Sequence, residues 1–361
     1  MEVPIHAVVL AGGRGERFWP RSRAARPKQL QSLTGGRTMI EETLARVSPL
    51  VPENRQWIIT SEDLVAAIRA LLGDVPRIIG EPAGRNTAPA IALAASEIMK
   101  QDASAVMIVL PSDHHIADVV AFRRTLERAV ELALKNYLVT IGLVPQSPET
   151  GYGYIERGRD LGANCFSVER FREKPDRKTA EDFVNSGRFL WNGGIFVWKA
   201  GTIMEKIAAY LPDLYRATRE WQERGGLEAG AEALRHYFLP LQKISIDYGV
   251  MEPASRERPP VGSGVAVVRG DFGWDDLGSW EAAGRYYPAD QAGNRVSGTA
   301  LALEAADNIV VCDQGLVALL GVRDLVVVRS GNAVLVCHRD RAQEVRRLVE
   351  ELRRGNMEEY L

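Results

Sequence analysis

The sequence predicts an α/β protein with a mostly parallel, doubly wound sheet, followed by a small β-solenoid-like unit and a terminal helix. Up to about residue 145, short β-branched runs alternate with segments of helical spacing, a pattern typical of a parallel sheet with helices on both faces. After residue 290, short apolar runs recur between polar or glycine turns, which indicates several short strands in a compact β unit.

The first part of the chain contains alternating candidate strands and helices. The predicted strands cover residues 5–10, 56–60, 76–79, 105–110 and 137–143. The predicted helices cover residues 38–48, 62–72, 87–100 and 119–135. In a sheet built this way, ligands bind beyond the carboxyl ends of the strands. The segments that follow residues 10 and 110 are therefore candidate binding loops.

The rest of the chain is irregular up to about residue 290 and rich in short strands after it. Between residues 145 and 290 we expect hairpins, one or two helices within 200–236, and a strand from 264 to 269. The later apolar runs begin at Ala300, Ile309, Val317, Leu325 and Val334. A terminal helix over about 340–354 follows, and Val345, Leu348, Val349 and Leu352 would share one of its faces. We place the boundary between a large domain, 1–288, and a small domain, 289–361.

Composition limits the possible classes of function. With 361 residues the chain is too long for one ordinary core, and its 46% hydrophobic content is that of a globular protein. The net charge is −2 and no basic stretch stands out, so we expect no nucleic-acid partner. No apolar run approaches the ~20 residues of a membrane span, and the N-terminus has no signal-peptide pattern. We therefore expect a cytoplasmic protein without a membrane partner.

The first candidate loop reads AGGRGERFWP, residues 11–20. It is no Walker P-loop. It also departs from the dinucleotide fingerprint, because Phe18 stands where the third glycine should be. That glycine lets a helix pack closely on the strand, and a phenylalanine does not. Pro20 also disfavours an immediate helix. Glycines that expose backbone N–H groups beside Arg14 suit a phosphate or nucleotide. The alternative is a tight structural turn.

Three further charged residues occupy positions where they could bind phosphate or metal. Lys28 follows the glycine loop in an extended segment fixed by Pro27. Asp113 lies just after an apolar strand, and Asp276 lies between Trp274 and Trp280. Two carboxylates at strand ends suit Mg²⁺, which proteins bind through few carboxylates together with substrate phosphates. Taken singly, each could instead be a surface lysine or a turn aspartate.

Two motifs in the middle of the chain suit a polyol or sugar. In REKP, residues 172–175, Glu173 and Lys174 would point to opposite faces of an extended segment unless the backbone bends there. In WNGG, residues 191–194, the amide of Asn192 precedes two glycines that allow close backbone approach. The alternative for the first motif is an exposed ion pair.

Taken together, these motifs resemble a known family. The segments LAGGRGERFWP, RPKQL, EPAGRNTAPA, PSDHHI, TGYGYIERG, FREKP, WNGGIFVW, SIDYGVME and WDDLGSW occur in the order seen in sugar-1-phosphate nucleotidylyltransferases. The chain is similar to the mannose-1-phosphate guanylyltransferases in particular, over roughly residues 4–285. This resemblance implies a Rossmann-like nucleotidyltransferase domain with a mostly parallel mixed sheet, followed by the small β domain.

The resemblance also implies a reaction and a set of site residues. GTP and mannose 1-phosphate would give GDP-mannose and pyrophosphate with Mg²⁺ as cofactor, Asp113 and Asp276 as its ligands, Arg14 and Lys28 on the triphosphate, and Lys174 on the sugar phosphate. The other implied nucleotide-binding residues are Leu10, Ala11, Gly12, Gly13, Gly15, Glu81, Arg85, Asn86, Thr87 and Ser112. The other implied sugar-binding residues are Gly153, Tyr154, Glu173, Asn192 and Gly193.

Two rival functions remain at this level. One is the same chemistry with another nucleotide and sugar 1-phosphate, and the other is a regulatory homologue that binds a sugar nucleotide without turnover. We also expect a homodimer through the C-terminal domain, because the apolar stripe of the terminal helix must be covered. The alternative is that this stripe closes the core of its own chain.

Overall fold

The computed structural model describes residues 3–74, 76–257 and 263–361. Its contacts divide the chain into two compact units. The first unit comprises Met1–Gly12, Thr43–Pro111 and Ile116–Trp274, and the second comprises Gly13–Glu42, Ser112–His115 and Asp275–Leu361. The predicted boundary between residues 288 and 289 stays a prediction.

The strands and helices follow one another closely along the chain. The strands are β1 (Ile5–Ala11), β2 (Gln56–Ser61), β3 (Arg77–Glu81), β4 (Val106–Pro111), β5 (His115–Ile116), β6 (Tyr137–Leu143), β7 (Tyr154–Gly162), β8 (Cys165–Arg172), β9 (Phe189–Lys199), β10 (Gly264–Gly270), β11 (Trp274–Asp275), β12 (Arg295–Ser297), β13 (Ala300–Leu303), β14 (Ile309–Cys312), β15 (Val317–Leu320), β16 (Leu325–Ser330) and β17 (Ala333–His338). The helices are α1 (Met39–Val47), α2 (Val65–Leu72), α3 (Thr87–Gln101), α4 (Val119–Leu134), α5 (Arg177–Ser186), α6 (Ala200–Tyr210), α7 (Pro212–Glu223), α8 (Gly230–Phe238), α9 (Glu252–Ala254), α10 (Trp280–Gly284) and α11 (Val345–Arg354).

The first unit is built on a large mixed sheet with the strand order β3-β2-β1-β4-β9-β6-β10-β8-β7. Strand β1 pairs in parallel with β2 and β4, β2 with β3, and β6 with β10. Strand β9 runs antiparallel between β4 and β6. The predicted mostly parallel mixed sheet is therefore confirmed.

The elements of this unit form where apolar periodicity predicts burial. Strand β4 is buried from Val106 to Leu110, which explains its unbroken apolar sequence, and helix α3 is buried over most of its length. The expectation of one or two helices after residue 200 was wrong, because α6, α7 and α8 form there. Pro212 begins α7 immediately after α6, where a proline at the first helical position costs no hydrogen bond.

The second unit contains the predicted β-solenoid. Strands β12, β14 and β16 pair in parallel in one sheet, and β13 pairs in parallel with β15 in another. Buried Asn308 joins successive turns, because its amide donates to Asn294 Oδ1 at 2.8 Å and its Oδ1 accepts from Leu325 N at 3.0 Å. Strand β17 closes the first of these sheets in antiparallel pairing with β16.

The terminal helix α11 packs into the core of the second unit. Val345 and Val349 are buried there beside Val326 and Val328, and Leu352 packs against the same cluster. The apolar stripe of this helix therefore closes its own core, which is the alternative that the sequence left open; only Leu348, 44% exposed, remains outside. Within the described residues, no helix is both long and apolar enough to cross a membrane.

Candidate functional site

The glycine-rich loop begins where β1 ends and wraps around Lys28. Gly15 has φ +62°, and a Cβ added there would lie 2.3 Å from Cβ of Lys28, so no other residue fits without displacing that lysine. The loop continues as a short 3₁₀ turn, Glu16–Phe18, and not as an α-helix. The ring of Phe18 is buried edge-on against Trp280, with centroids 5.0 Å apart. Phe18, which breaks the dinucleotide pattern, is thus a core residue of the second unit.

Lys28 joins the two predicted metal ligands of the second unit. Its Nζ donates to Asp113 Oδ2 at 2.9 Å and to the backbone oxygen of Asp276 at 2.6 Å. Burial alone would raise the pKa of Asp113, but the charges of Lys28 and His114 and the hydrogen bond from Lys28 outweigh it, so the pKa is lowered. Asp113 is therefore an ionised carboxylate at neutral pH.

Asp276 and its neighbour Asp275 have different environments. Asp275 accepts from the backbone N–H of Leu277 at 2.8 Å and contacts Arg285 and Tyr286 at 3.3 and 3.2 Å. The carboxylate of Asp276 has no hydrogen bond or ion pair with any residue that the structure describes. The carboxylate of Asp275 is thus occupied by contacts with neighbouring residues, whereas that of Asp276 is available to a ligand.

Lys28, Asp113 and Asp276 line a cavity of about 510 Å³ in the second unit. Its lining residues are Arg14, Gly15, Glu16, Arg17, Phe18, Lys28, Asp113, His114, Asp276, Leu277, Gly278 and Arg346. Two aspartates among cations suit a divalent ion that takes its other ligands from phosphate and water. No cluster of three or more His, Cys, Asp or Glu side chains that could hold a metal occurs in the described ranges. The donor set thus fits Mg²⁺ bound jointly with a substrate.

Glu81 is an incompletely satisfied acid at the carboxyl end of β3 in the first unit. Its Oε1 is buried without a hydrogen-bond partner in the described structure, and burial raises its pKa to about 8. A Cβ added at Gly12 would lie 3.6 Å from Glu81 Oε2, so the ends of β1 and β3 meet here. A buried acceptor without a donor costs stability, which makes Glu81 a candidate for recognising a ligand with N–H groups.

The segment after Glu81 is held by the chain around residue 244. Arg85 donates through Nη2 to the backbone oxygen of Leu239. Asn86 adopts φ +66° and caps α3, its Oδ1 accepting from Thr87 N at 2.9 Å. Thr87 Oγ1 in turn accepts from the backbone N–H of Ile246 at 2.8 Å. All three residues therefore have defined structural contacts as well as their predicted role.

The other predicted nucleotide-binding residues lie at the ends of the central strands. Leu10 and Ala11 are the last residues of β1, and Ser112 is buried directly after β4. Gly13 is the first residue of the second unit, and a Cβ there would meet no atom within 4 Å. Glycine at position 13 thus leaves open space beside the backbone.

Two of the other predicted sugar-binding residues, Gly153 and Glu173, lie beside Asn192 in a polar cluster of the first unit. The amide of Asn192 donates to Asp247 Oδ1 at 2.8 Å, and its Oδ1 accepts from Thr140 Oγ1 at 2.9 Å. A Cβ added at Gly153 would lie 2.4 Å from Glu173 Oε2 and 3.1 Å from Asn192 Cβ. Burial, with the nearby charge of Asp247, raises the pKa of Glu173 to about 7 despite Lys174.

The backbone bend that REKP required is present. Lys174 adopts φ +43°, and its Nζ lies 3.6 Å from Glu173 Oε1, so the two side chains meet. The hydroxyl of Tyr154 donates a hydrogen bond to the backbone oxygen of Glu149 at 2.9 Å, and the ring of Tyr154 is buried in the core. At Gly193 an added Cβ would lie 3.1 Å from the oxygen of Ile141, so close strand packing requires this glycine.

Sequence reasoning missed two residues of these clusters. Asp247, in the motif SIDYGVME, received no role, although an acid within an apolar stretch is a signal for a buried polar contact. Burial raises the pKa of Asp247 as well. Arg346 lines the cavity of the second unit, but its place on a charged helix face gives no local signal that separates it from its neighbours.

Comparisons with known proteins agree with this architecture. Residues 6–292 match the nucleotidyl transferase family model, and residues 298–352 match that of the MannoseP isomerase/GMP-like beta-helix domain. Mannose-1-phosphate guanylyltransferases of Klebsiella pneumoniae and Escherichia coli are each 38% identical over 360 residues, which cover 98% of this chain and 75% of theirs. A solved structure from Thermus thermophilus, described as a mannose-1-phosphate geranyltransferase, is similar with TM-score 0.87 and 39% identity, covering 97% of this chain and 100% of that one.

Proposed function

Because the chain belongs to the nucleotidyl transferase family, we propose that it transfers GMP from GTP to α-D-mannose 1-phosphate, giving GDP-mannose and pyrophosphate. The observation that carries the proposal is the cavity in which Lys28 joins Asp113 to the backbone of Asp276 beside Arg14. It combines the cations and the hard oxygen ligands that nucleotidyl transfer requires.

The reaction needs no general base. An oxygen of the sugar phosphate is already anionic; it forms a bond to the α-phosphorus while the bond from that phosphorus to the bridging oxygen breaks, and pyrophosphate leaves with the electron pair. Catalysis then consists of positioning and charge stabilisation. Arg14 offers a guanidinium that no described residue engages, and Lys28 brings a second charge.

Asp113 and Asp276 would hold the metal. Mg²⁺ bound there would neutralise part of the charge on the phosphates. Lys28 keeps the carboxylate of Asp113 ionised and oriented through its 2.9 Å hydrogen bond. Gly15 allows Lys28 to approach the glycine loop, because its lack of a Cβ leaves the space that the lysine stem fills.

Glu81 supports guanine as the base. Guanine presents two adjacent donors, N1–H and the 2-amino group, to which one ionised carboxylate can bind in a bidentate manner. The buried Oε1 of Glu81 has no partner in the described structure, so such a base would satisfy it. Adenine and uracil lack this pair of donors, and a buried acceptor left unpaired disfavours them strongly.

The cluster around Asn192 supports a hexose as acceptor. Glu173 offers a carboxyl group for sugar hydroxyls, and the absence of a Cβ at Gly153 leaves room for it. Asp247 and Thr140 orient the amide of Asn192 from both ends. Lys174 carries a cation beside this cluster for the sugar phosphate.

An activity matrix of nucleoside triphosphates against sugar 1-phosphates, with pyrophosphate release as readout, tests the proposal. We expect GTP with mannose 1-phosphate to give the highest kcat/KM. A clear preference for UTP or dTTP would contradict guanylyl transfer but not nucleotidyl transfer. Absence of pyrophosphate release with every pair, together with tight binding of GDP-mannose, would indicate a regulatory homologue instead.

A further inference from the structure

The arginines of the C-terminal segment differ in whether a glutamate pairs with them. Those near α11 have glutamate partners: Arg341 and Arg347 contact Glu344 at 2.8 and 2.6 Å, and Arg354 contacts Glu351 at 2.5 Å. Arg353 pairs with Glu16 and Arg339 with Glu281. Arg346 has neither a hydrogen bond nor an ion pair within the described ranges.

Arg346 also lines the cavity that holds Lys28, Asp113 and Asp276. Its backbone is held by the second unit's core, because the preceding Val345 is 2% exposed. An exposed guanidinium on a fixed helix loses less conformational freedom on binding an anion than one on a mobile loop. The cavity therefore includes a cation whose backbone position is held by the C-terminal helix.

Other cations of the cavity are already engaged. Lys28 is bound to Asp113, and Arg17 donates to the backbone oxygen of Gly278 at 3.0 Å and to Gln343 Oε1 at 3.1 Å. Arg14 and Arg346 are the lining arginines whose guanidinium groups have no partner among the described residues. A polyanion entering this cavity would thus meet two guanidinium groups ready for bidentate contacts.

We infer that Arg346 binds the β- and γ-phosphates of the nucleotide and stabilises them as they leave as pyrophosphate; this rests on the proposed nucleotidyl transfer. Residues 13–20 of the glycine-rich loop and Arg346 belong to the same compact unit, whereas Glu173, Lys174 and Asn192 belong to the other. The leaving pyrophosphate gains negative charge as its bond to the α-phosphorus breaks, and a planar guanidinium suits that charge. The C-terminal domain would therefore supply a residue that contacts the substrate.

Binding of inorganic pyrophosphate with Mg²⁺ to the full chain, measured by calorimetry, tests the inference without requiring turnover. We expect Arg346→Gln to weaken pyrophosphate binding tenfold or more and Arg346→Lys to weaken it less, because lysine keeps the charge but loses the bidentate contact. The matched control is Arg347→Gln, which removes an ion-paired arginine of the same helix and should change pyrophosphate affinity by less than twofold.

The reverse reaction, GDP-mannose with pyrophosphate, separates the possible outcomes. We expect Arg346→Gln to raise the KM for pyrophosphate and leave the KM for GDP-mannose within twofold. Unchanged pyrophosphate affinity, or equal losses in Arg346→Gln and Arg347→Gln, would overturn the inference. In the forward reaction, a raised KM for mannose 1-phosphate with an unchanged KM for GTP would assign Arg346 to the sugar phosphate and overturn the inference too. Lost pyrophosphate binding in Arg346→Gln, with a wild type that transfers another nucleotide but no GMP, would support the inference and reject the proposed guanylyl transfer.

Discussion

The ammonium group of Lys28 lies 2.9 Å from Oδ2 of Asp113, although 85 positions separate the two residues in the sequence. Lys28 is only 5% exposed, so its charge requires a partner. Asp113 provides that partner and keeps its own carboxylate ionised. A residue predicted to cover the triphosphate and a residue predicted to bind metal thus form one charged pair.

Neutralising either proposed metal ligand should remove most activity. We expect Asp113→Asn and Asp276→Asn each to lower kcat by about 100-fold or more, because an amide is a weaker ligand for a hard cation. The double variant should be little worse than either single one, since residues that act as a unit are non-additive. Steady-state kinetics across Mg²⁺ concentrations would measure this.

Asp275→Asn is the control for this pair. Asp275 contacts Leu277, Arg285 and Tyr286, so its loss should lower the melting temperature while the Mg²⁺ dependence of the activity stays near that of the wild type. If Asp275→Asn abolished the Mg²⁺ dependence of the activity and Asp276→Asn did not, the metal ligand would be Asp275 and not Asp276. Near-normal Mg²⁺-dependent activity in all three variants would reject the two-carboxylate site.

The KM for GTP should depend on pH through Glu81. Its pKa is raised to about 8, so the carboxyl is mostly protonated at pH 6.5 and must lose that proton before it can accept both guanine donors. KM should therefore fall as pH rises from 6.5 to 8.5, by up to about tenfold per unit below pH 8. Glu81→Gln should weaken GTP binding and flatten this dependence. If Glu81→Gln showed the same pH dependence of the KM for GTP as the wild type, Glu81 would have no role in guanine recognition.

The same group predicts a dependence of stability on pH. Because the folded-state pKa of Glu81 lies above its ordinary value of 4.5, its contribution to stability is present below pH 4.5 and is lost as pH rises through 8. The free energy of unfolding of wild type relative to Glu81→Gln should fall across this window. Denaturant titrations at pH 5, 6.5 and 8 would measure the difference, and a constant difference would contradict the assignment of a buried, neutral acid.

Filling the space at Gly153 should affect the sugar and not the nucleotide. An alanine Cβ would lie 2.4 Å from Glu173 Oε2 and 3.1 Å from the well-held Asn192, so the Glu173 carboxyl must move. We expect Gly153→Ala to raise the KM for mannose 1-phosphate at least tenfold and to leave the KM for GTP within twofold. Gly151→Ala, whose Cβ would meet nothing within 4 Å, is the matched control. Equal effects of the two substitutions would indicate loop flexibility and not the sugar site.

The predicted homodimer should form through the solenoid and not through α11. Leu303 of β13 and Leu320 of β15 are register partners, and they are 55% and 71% exposed. Leu301, on the same face of β13, is 49% exposed. Exposed apolar patches of this kind mark interfaces. We expect light scattering to show a dimer for the wild type and a monomer with unchanged melting temperature for Leu303→Asp with Leu320→Asp. Val336→Asp, on exposed β17, should stay dimeric, and a monomeric wild type at micromolar concentration would reject the prediction.

Much of the fold could be read from local patterns. The strands before residue 145 and the solenoid strands appear close to their predicted positions, because strands buried on both faces are short continuous apolar runs bounded by polar or glycine residues. The predicted number of helices after residue 200 was wrong because α6 and α7 follow each other without a loop, so their apolar periodicities merge. The loop after β1 could be recognised from its glycines, although the reason for Gly15 is the close approach of Lys28.

The sequence by itself determined the element types, the two classes of sheet, and the candidate residues that follow strand ends. Only the tertiary structure decided which side chains meet: Lys28 with Asp113, Asn192 with Asp247, and Arg346 with the cavity of the glycine loop. Hydrophobic periodicity acts between residues two to four positions apart and fixes local geometry. Polar contacts across 85 or 55 positions depend on how the elements pack, and that packing leaves no local pattern in the sequence.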